Sequence, residues 1–531
     1  MYNSKYKYVK NQKFPEKPKI ETSDRKNGHS YGLTSPISLD YPTPEELTRT
    51  TEMFDYLTKS DVFETEEGMR QRQGVVEKLD VIFKKWVRDT CIAKRIPEFT
   101  ANKAGGIVIP MGSYILGTQN KGSDLDLLCV GPLHVERKDF FTSFYKVLSK
   151  LPNVTKLNAI ENAFVPIITF SFDDVEIDLL FARLLCGEVA HDIDLMRDDV
   201  LKYLDPRCSR SIGGYRSGVG TLQLVPDREI FKATLRAVKF WAKRRGVYGN
   251  AVGFLGGISW AILVARICQL YPNATPSTIL SKFFRIIRQW PWPLPLLLRQ
   301  LPRHPNVWDP RLNLQDRTHK MPIVTPCFPQ QNSTVNVTVS TRSIVVAELN
   351  RGHELMTKIL EGKATWDDLF QPAKFFDEYN HFIAVRSSAA SPKELAEWSG
   401  FIQSRLRLLV SGVESCPQIS VAHPLEKSYP SREHSSVSFV GMKFNTTKGD
   451  INLTNIVSTF ADTIIQQGAK FNIFKPGMTI KPEYVNRKNL NKYIPDDVAP
   501  HKRETRKRKV GDVQEVSKNK RICDNKQLGL F

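Results

Sequence analysis

The chain of 531 residues is too long for one ordinary hydrophobic core, and its 41% apolar and 25% charged side chains exclude a fully disordered protein. Its formal net charge of +20 favours nucleic acid as a partner over an acidic membrane surface. The eight cysteines lack paired C-x-x-C spacing, so neither a disulfide framework nor a zinc site is expected.

The first predicted element follows residues 1–30, a Lys-, Asn- and Pro-rich segment that is expected to be basic and disordered. Apolar residues then recur at helical spacing over residues 65–94, which predicts an amphipathic helix. The stretch MGSYILGTQNKGSDLDLLCVGP (111–132) passes from a Gly-punctuated loop into a strand. Two further strand runs, 165–172 and 175–184, are separated by a two-residue acidic turn and predict a hairpin.

Beyond residue 184 the pattern is helical to about residue 365. One predicted helix begins at the cap residue Asp227 and ends at Gly246, with a buried stripe formed by Phe231, Leu235, Val238 and Trp241. The apolar run 253–265 ends at Arg266 and is too short to span a bilayer, so it predicts a buried helix and no membrane partner. A Pro- and Trp-rich stretch, 290–312, interrupts these helices.

From about residue 370 the predicted order is βαββαβ, the ferredoxin-like arrangement of many RNA-recognition sheets, although exposed aromatic platforms are not evident. The predicted segments are strand 381–389, helix 391–410, strands 417–425 and 436–444, helix 452–467 and strand 478–485. The tail that follows carries two basic clusters within residues 502–521, which predict a nuclear localisation signal. The alternative is a solvated tail that binds RNA weakly.

Two carboxylates stand out in the 111–132 stretch. Asp124 and Asp126 should project from the same face of the predicted strand, whereas Leu125 and Leu127 take the other face. Like charges at a half-buried strand repel each other, and a divalent cation such as Mg²⁺ would relieve both the repulsion and the cost of desolvation. For a lone D-x-D, however, a surface turn with solvated acids is the favoured alternative.

Two neighbours favour the metal hypothesis. Gly112 and Ser113 lie upstream, where backbone N–H groups at a helix start could reach phosphate oxygens. Asp178 lies in the strand run 175–184, and three carboxylates on two neighbouring strands suit two-metal phosphoryl or nucleotidyl transfer. Glu176 shares a face with Asp178, and spacing alone does not choose between them.

The stretch GSYILGTQNKGSDLDLLCVGP resembles the nucleotidyltransferase motif of the DNA-polymerase-beta-like superfamily, and specifically that of eukaryotic nuclear poly(A) polymerases. VEIDLLFARL, NVTVSTR and the blocks that begin TLRAVKFWAKRRG and WDPRLNLQDRTHK resemble the same family. The resemblance runs from about residue 31 to residue 490 and implies an α+β multidomain fold. The implied parts are a nucleotidyltransferase catalytic domain (31–184, its first helices able to pack on the next domain), a helical middle domain (185–365), a C-terminal ferredoxin-like, RRM-like RNA-binding domain (366–498) and a basic tail with the localisation signal (499–531).

The family implies template-independent addition of AMP from ATP to the 3′-hydroxyl of RNA, as in mRNA polyadenylation, with two Mg²⁺ or Mn²⁺ ions. By motif position Asp124 and Asp126 would bind both metals, and Asp178 would hold the metal that activates the 3′-hydroxyl, which favours Asp178 over Glu176. The other implied ATP-binding positions are Met111, Gly112, Ser113, Lys239, Tyr248, Gly257 and Ile258. The resemblance also implies a nuclear monomer whose partners are pre-mRNA 3′ ends, cleavage and polyadenylation factors, and importin.

Two departures from the family pattern bear on the nucleotide. Met111 stands where an aromatic residue usually precedes Gly-Ser, and Gly213 stands where the family has an Asn near nucleotide and primer. Neither touches a metal ligand, so activity should be retained with weaker adenine selectivity or affinity. Two alternatives remain: a related RNA terminal nucleotidyltransferase with a different nucleotide preference, and a catalytically weak RNA-binding scaffold.

Overall fold

The structure is a computed structural model that describes residues 31–161, 165–431, 434–445, 451–495 and 498. The basic segment 1–30 and the tail 499–531, with its localisation signal, lie outside the described residues. In the part that is described, no helix is both long enough and apolar enough to cross a membrane. The seven described cysteines are free thiols.

The first sheet has five strands in the order β1-β2-β5-β4-β3. They are β1 (Ile107–Pro110), β2 (Leu125–Gly131), β3 (Val154–Ile160), β4 (Ile167–Phe172) and β5 (Val175–Arg183). Strands β2 and β5 run parallel, and the other pairs are antiparallel. The predicted hairpin is confirmed, because Asp173 and Asp174 join β4 to β5 with φ of 48° and 63°, the left-handed turn that hairpins favour.

The first helix, α1 (Pro44–Lys59), packs on the middle helices, since its Met53 and Leu57 are buried in their core. The helices beside this sheet are α2 (Glu66–Ala93), α3 (Glu98–Lys103), α4 (Gly112–Ile115), α5 (Arg137–Asp139) and α6 (Tyr145–Leu148), with a π-helical turn, Phe140–Phe144, between the last two. Helix α2 confirms the helix predicted over 65–94; Thr65 caps it by accepting the N–H of Gly68. Its Leu79 and Phe83 are buried in one cluster with Leu127 of β2. Packing against α2 therefore fixes one face of the strand that follows Asp124.

The middle of the chain is helical, as predicted, with α7 (Pro206–Gln223), α8 (Arg228–Arg244), α9 (Gly257–Leu270), α10 (Pro276–Ile287), α11 (Val339–Leu360) and α12 (Trp366–Phe370). Asp227 caps α8 by accepting two backbone N–H groups, and Gly246 follows its end with φ of 68°. Trp241 is fully buried, so it is a core residue, as expected, and not a base stacker. The interruption is longer than 290–312: between α10 and α11 the only helical turn is the 3₁₀ segment Asp316–Thr318.

The last part confirms the predicted βαββαβ order, with strands in the order β10-β6-β9-β7. Its elements are α13 (Phe375–Glu378), β6 (His381–Ser388), α14 (Pro392–Gln403), α15 (Leu406–Glu414), β7 (Ile419–Pro424), a short β8 (Tyr429–Pro430), β9 (Ser435–Phe444), α16 (Thr454–Lys470) and β10 (Thr479–Asn486). Tyr484 is 60% exposed, an aromatic side chain that the sequence did not single out as a surface residue.

One prediction in this region was wrong, because residues 391–410 form parts of two helices. Arg405, with φ of −116° and ψ of 2°, separates α14 from α15. Its guanidinium lies 3.5 Å from the centroid of the Phe401 ring and donates to the Phe401 carbonyl, so the side chain closes the end of α14. Apolar residues on both sides of the break pack in the same core, so the periodicity continues through it.

The middle and last parts share one hydrophobic core. Trp260 of α9 and Val440 of β9 belong to the same buried cluster, and the rings of Phe254 and His423 lie 5.4 Å apart. Glu414 at the end of α15 accepts hydrogen bonds from Thr338 Oγ1 and the Ser340 N–H at the start of α11. The β1–β5 sheet packs in separate clusters.

Candidate active site

The carboxylates of Asp126 and Asp178 are neighbours because β2 and β5 are parallel and these two residues are partners in the register. Asp124 is exposed and directly precedes β2, so it lies just outside the strand that was predicted to hold both aspartates. Burial raises the pKa of Asp126, and the charge of Asp124 raises it further. Burial, followed by the charges of Asp126 and Asp124, raises the pKa of Asp178 to about 7. The three carboxylates therefore form one mutually repelling group.

Glu176, the residue that spacing could not separate from Asp178, has other surroundings. It is exposed, and its carboxylate accepts a 2.7 Å hydrogen bond from Lys156 Nζ on β3. Glu176 pairs with Ser171 of β4 and precedes the stretch of β5 that pairs with β2, which begins at Ile177, whereas Asp178 pairs directly with Asp126. Glu176 already has a cationic partner, whereas Asp178 faces other carboxylates.

The Gly112-Ser113 turn is fastened to the same strand. The backbone N–H of Met111 donates to the Asp126 carbonyl over 2.9 Å, and the N–H of Ser113 donates to the Asp126 carboxylate. Gly112 has φ of 59°, and a Cβ at this position would collide with Asp126 Oδ2. Only glycine therefore lets the backbone come this close to the carboxylate.

Lys239 on α8 is not the solvated surface lysine that is typical of a basic helix. It is 5% exposed, and its Nζ donates to the carbonyl of Thr118 over 3.1 Å. Burial lowers its pKa to about 8, and the charge of Lys243 contributes to this, while Asp126 opposes it. The lysine thus connects α8 to the loop between Ser113 and Asp124, with its charge beside Asp126.

Tyr248 lies between these groups and the start of α9. Burial raises its pKa to about 12, and the charges of Asp126, Glu426 and Asp124 add to this. Lys243 Nζ lies 5.3 Å from the ring centroid. A Cβ at Gly257, the first residue of α9, would lie 2.9 Å from Tyr248 Oη, and half-buried Ile258 follows. The structure thus brings Lys243 and Gly257 to Tyr248, which also lies near Asp126. The space bordered by Tyr248, Lys239 and Asp126 is called the cleft below.

The two departures from the family pattern, Met111 and Gly213, lie close together without a contact between them, because Met111 packs against the residue that follows Gly213. Met111 is 8% exposed, and a Cβ at Gly214 on α7 would lie 2.5 Å from Met111 Cε. A Cβ at the adjacent Gly213 would meet no atom within 4 Å. Position 213 therefore has open space in front of it, next to the methionine that replaces the usual aromatic residue.

Sequence reasoning missed Glu426, which follows β7 in the ferredoxin-like part. It is exposed, yet it is close enough to Tyr248 to raise the pKa of the phenol. A Cβ at Gly249 would lie 2.8 Å from Glu426 Oε1, so the carboxylate rests against a residue without a side chain. Some 300 residues separate it from Asp126 along the chain, and no local pattern indicates their proximity.

As placed, the described residues contain no group of three or more His, Cys, Asp and Glu side chains close enough together to hold a metal ion by themselves. The donor set still has the chemistry of a cation site, since Asp126 and Asp178 are oxygen donors whose ionised forms are disfavoured by burial and mutual repulsion. A divalent cation would remove that repulsion, and phosphate oxygens of a nucleotide can complete its coordination. The carboxylates therefore fit a metal that is bound together with substrate.

The sequence matches three described families: the poly(A) polymerase nucleotidyltransferase domain over residues 32–225, the poly(A) polymerase central domain over 230–372 and the poly(A) polymerase predicted RNA binding domain over 374–438. It is 38% identical over 490 residues to nuclear poly(A) polymerase 1 of Arabidopsis thaliana, which covers 90% of this chain and 68% of the relative. Poly(A) polymerase of Dictyostelium discoideum is 35% identical over 517 residues (93% and 63%). Poly(A) polymerase pla1 of Schizosaccharomyces pombe is 41% identical over 402 residues (75% and 71%).

Proposed function

This chain belongs to the poly(A) polymerase family, and we propose that Asp124, Asp126 and Asp178 hold two divalent cations, Mg²⁺ or Mn²⁺, in its active site. Its activity is that of a polynucleotide adenylyltransferase, which adds AMP from ATP to the 3′-hydroxyl of RNA without a template. The observation that supports the metal assignment is the register of β2 and β5, in which Asp126 is the partner of Asp178. When bound, divalent cations lower the pKa of the attacking hydroxyl and neutralise charge on the pyrophosphate that leaves.

The other residues would bind and orient the nucleotide. Lys239 and Lys243 lie one helical turn apart on α8 and offer two positive charges to the phosphates. Tyr248, Gly257 and Ile258 would contact the nucleotide on the side of its base. Because residue 257 has no side chain, the base could approach the backbone closely there. The remaining contacts would come from Met111, Gly112 and Ser113, which form the turn that is hydrogen-bonded to Asp126.

The proposal also covers the division of the chain into domains and its partners. The catalytic domain would span 31–184, with α1 packed on the middle domain, since Met53 and Leu57 are buried in the core of the middle helices. The middle domain would span 185–365 and the RNA-binding domain 366–498, and the basic tail 499–531 would bind importin. The chain acts in the nucleus. Its proposed partners there are pre-mRNA 3′ ends and cleavage and polyadenylation factors, which it would meet as a monomer.

Primer extension of a short RNA with each of the four nucleotides, with Mg²⁺ or Mn²⁺, tests the proposal. ATP-selective extension should be abolished in Asp178→Ala. It should be retained in Glu176→Ala, a matched control on the same strand, because the Glu176 carboxylate is paired with Lys156. Preference for UTP would instead favour a related terminal transferase. Failure of the wild-type chain to extend RNA with any nucleotide would favour an RNA-binding scaffold.

A further inference from the structure

Glu426 places a negative charge near Lys243, one of the two lysines proposed to bind the triphosphate, where a negative charge is not expected. It comes from the turn after β7, and it reaches the cleft because position 249 is glycine: a Cβ there would lie 2.8 Å from Oε1 and 3.0 Å from Cδ of Glu426. Residues of β7 and α8 are buried in one core, and this shared packing fixes the position of the carboxylate relative to α8.

Lys243 is the cation that approaches the same segment as Glu426: its Nζ lies 5.3 Å from the ring centroid of Tyr248, the residue before Gly249, and Glu426 lies against Gly249. Although the Glu426 side chain is exposed as a whole, the protein atoms around its carboxylate partly desolvate it and raise its pKa, and the charge of Lys243 opposes that shift. Lys243 in turn lowers the pKa of Lys239, which lies beside Asp126. The charges thus form a series from the carboxylates through Lys239 and Lys243 to Glu426. The pKa of Tyr248 is raised by burial and then both by the aspartates and by Glu426.

We propose that Glu426 is a positioning residue that weakens the binding of phosphate groups through Lys243, so that pyrophosphate leaves the site after each addition. The inference depends on the proposed function, because it assumes that Lys243 faces the phosphates of the nucleotide. A carboxylate near a cation competes electrostatically with any other anion for it. An enzyme that adds many residues in succession must release an anion at each step, so a fixed countercharge favours turnover over tight binding.

The test is Glu426→Gln, which removes the charge and keeps the shape. Its expected effects are a fall of about three- to tenfold in both the KM for ATP and the inhibition constant of pyrophosphate, the range given by a Coulomb interaction across a partly solvated cleft. The effect should shrink at high salt, because screening weakens it. The KM for RNA should not change, and the ratio of ATP to UTP use should not change.

Two variants act as controls. Glu397→Gln makes the same chemical change on α14 of the same domain, at a carboxylate 3.6 Å from Lys475 Nζ, and should leave both constants unchanged. In a Lys243→Met background, Glu426→Gln should have no further effect, since its partner charge is gone. Calorimetry of pyrophosphate binding in the presence of Mg²⁺ gives the same comparison without turnover.

Several results would overturn the inference. A raised KM for ATP, or a changed ATP-to-UTP ratio, would mean that Glu426 contacts the nucleoside. An equal change in the KM for RNA would mean that the charge acts on the primer path. Unchanged constants would mean that Glu426 has no role. If the wild-type chain does not extend RNA, the proposed function fails, and pyrophosphate calorimetry still decides whether Glu426 acts through Lys243.

Discussion

Asp126 and Asp178 are direct partners across the parallel strands β2 and β5, so that one half-buried carboxylate lies beside another. Lys239 is the cation whose charge opposes the raised pKa of Asp126, and it is itself neutralised in part by burial. Lys239 therefore relieves only part of the repulsion among these carboxylates. Strain of this kind is typical of sites that are stabilised only when ligand is bound.

Replacing Asp178 with Asn should stabilise the metal-free protein at neutral and alkaline pH. The folded state raises the pKa of Asp178 from 3.8 to about 7, so it binds a proton more tightly than the unfolded chain does. Stability is therefore lost as the pH rises from about 4 to about 7. At pH 8 the free energy of unfolding of Asp178→Asn should exceed that of the wild type by on the order of 1–2 kcal/mol.

Urea unfolding at pH 5 and at pH 8 measures this difference. Millimolar Mg²⁺ with ATP should raise the stability of the wild type at pH 8 and should have little effect on the variant. Glu176→Gln, at an exposed position two residues earlier on the same face of the strand, should follow the wild type. A wild-type protein that becomes more stable relative to Asp178→Asn between pH 5 and pH 8 would contradict the prediction.

Much of this arrangement can be predicted from sequence because it depends on local periodicity. The alternation of polar and apolar residues in β2 and β5 and the cap at Asp227 can be recognised from short stretches of sequence. They place Asp126 and Asp178 on strands and Lys239 on a helix. The sequence predicted that the strands with these carboxylates are neighbours, whereas their parallel direction and the pairing of Asp126 with Asp178 are known only from the structure. Each of these features concerns residues within one element or between adjacent strands.

What could not be predicted depends on how distant elements dock. Glu426 enters the cleft only because the ferredoxin-like part packs on the middle helices and because Gly249 leaves room. The contact between Met111 and Gly214 requires α7 to cross the Gly-Ser turn. The break at Arg405 is hidden because the apolar period continues across it.

ATP use should decline as the pH rises through about 8. Lys239 must be protonated to attract phosphate, and burial lowers its pKa to about 8. The ratio kcat/KM for ATP, which reports groups of the free enzyme, should therefore fall above that pH. Lys239→Arg should move the decline to higher pH because arginine stays charged, although its larger head group should lower the plateau. A wild-type profile that stays flat to pH 9.5 would show that Lys239 is not required in its charged form.

Gly213→Asn should lower the KM for ATP. The position faces open space, so the amide side chain fits without displacing an atom, and it would restore a hydrogen-bonding group beside the nucleotide. Gly400→Asn is a matched control, since Gly400 is also a helical glycine with nothing within 4 Å of its Cβ, and it lies on α14 away from the cleft. Steady-state kinetics with ATP as the varied substrate measures the effect, and an unchanged KM would count against a role for position 213.

Gly112→Ala should abolish most activity with only a modest loss of stability. A methyl group at 112 would collide with Asp126 Oδ2, and the residue has φ of 59°, where a side chain costs about 1–2 kcal/mol. The collision can be relieved only by moving the Asp126 carboxylate or the turn fastened to it, and small displacements of a reacting group lower rates by about 100-fold. Gly122→Ala separates backbone strain from the collision with Asp126, because Gly122 also has a positive φ of 69° but has open space around it. Both variants should lose similar stability in thermal unfolding, whereas only Gly112→Ala should lose kcat in primer extension. Equal kcat values for the two variants would show that the close approach of the backbone to Asp126 does not matter for the reaction.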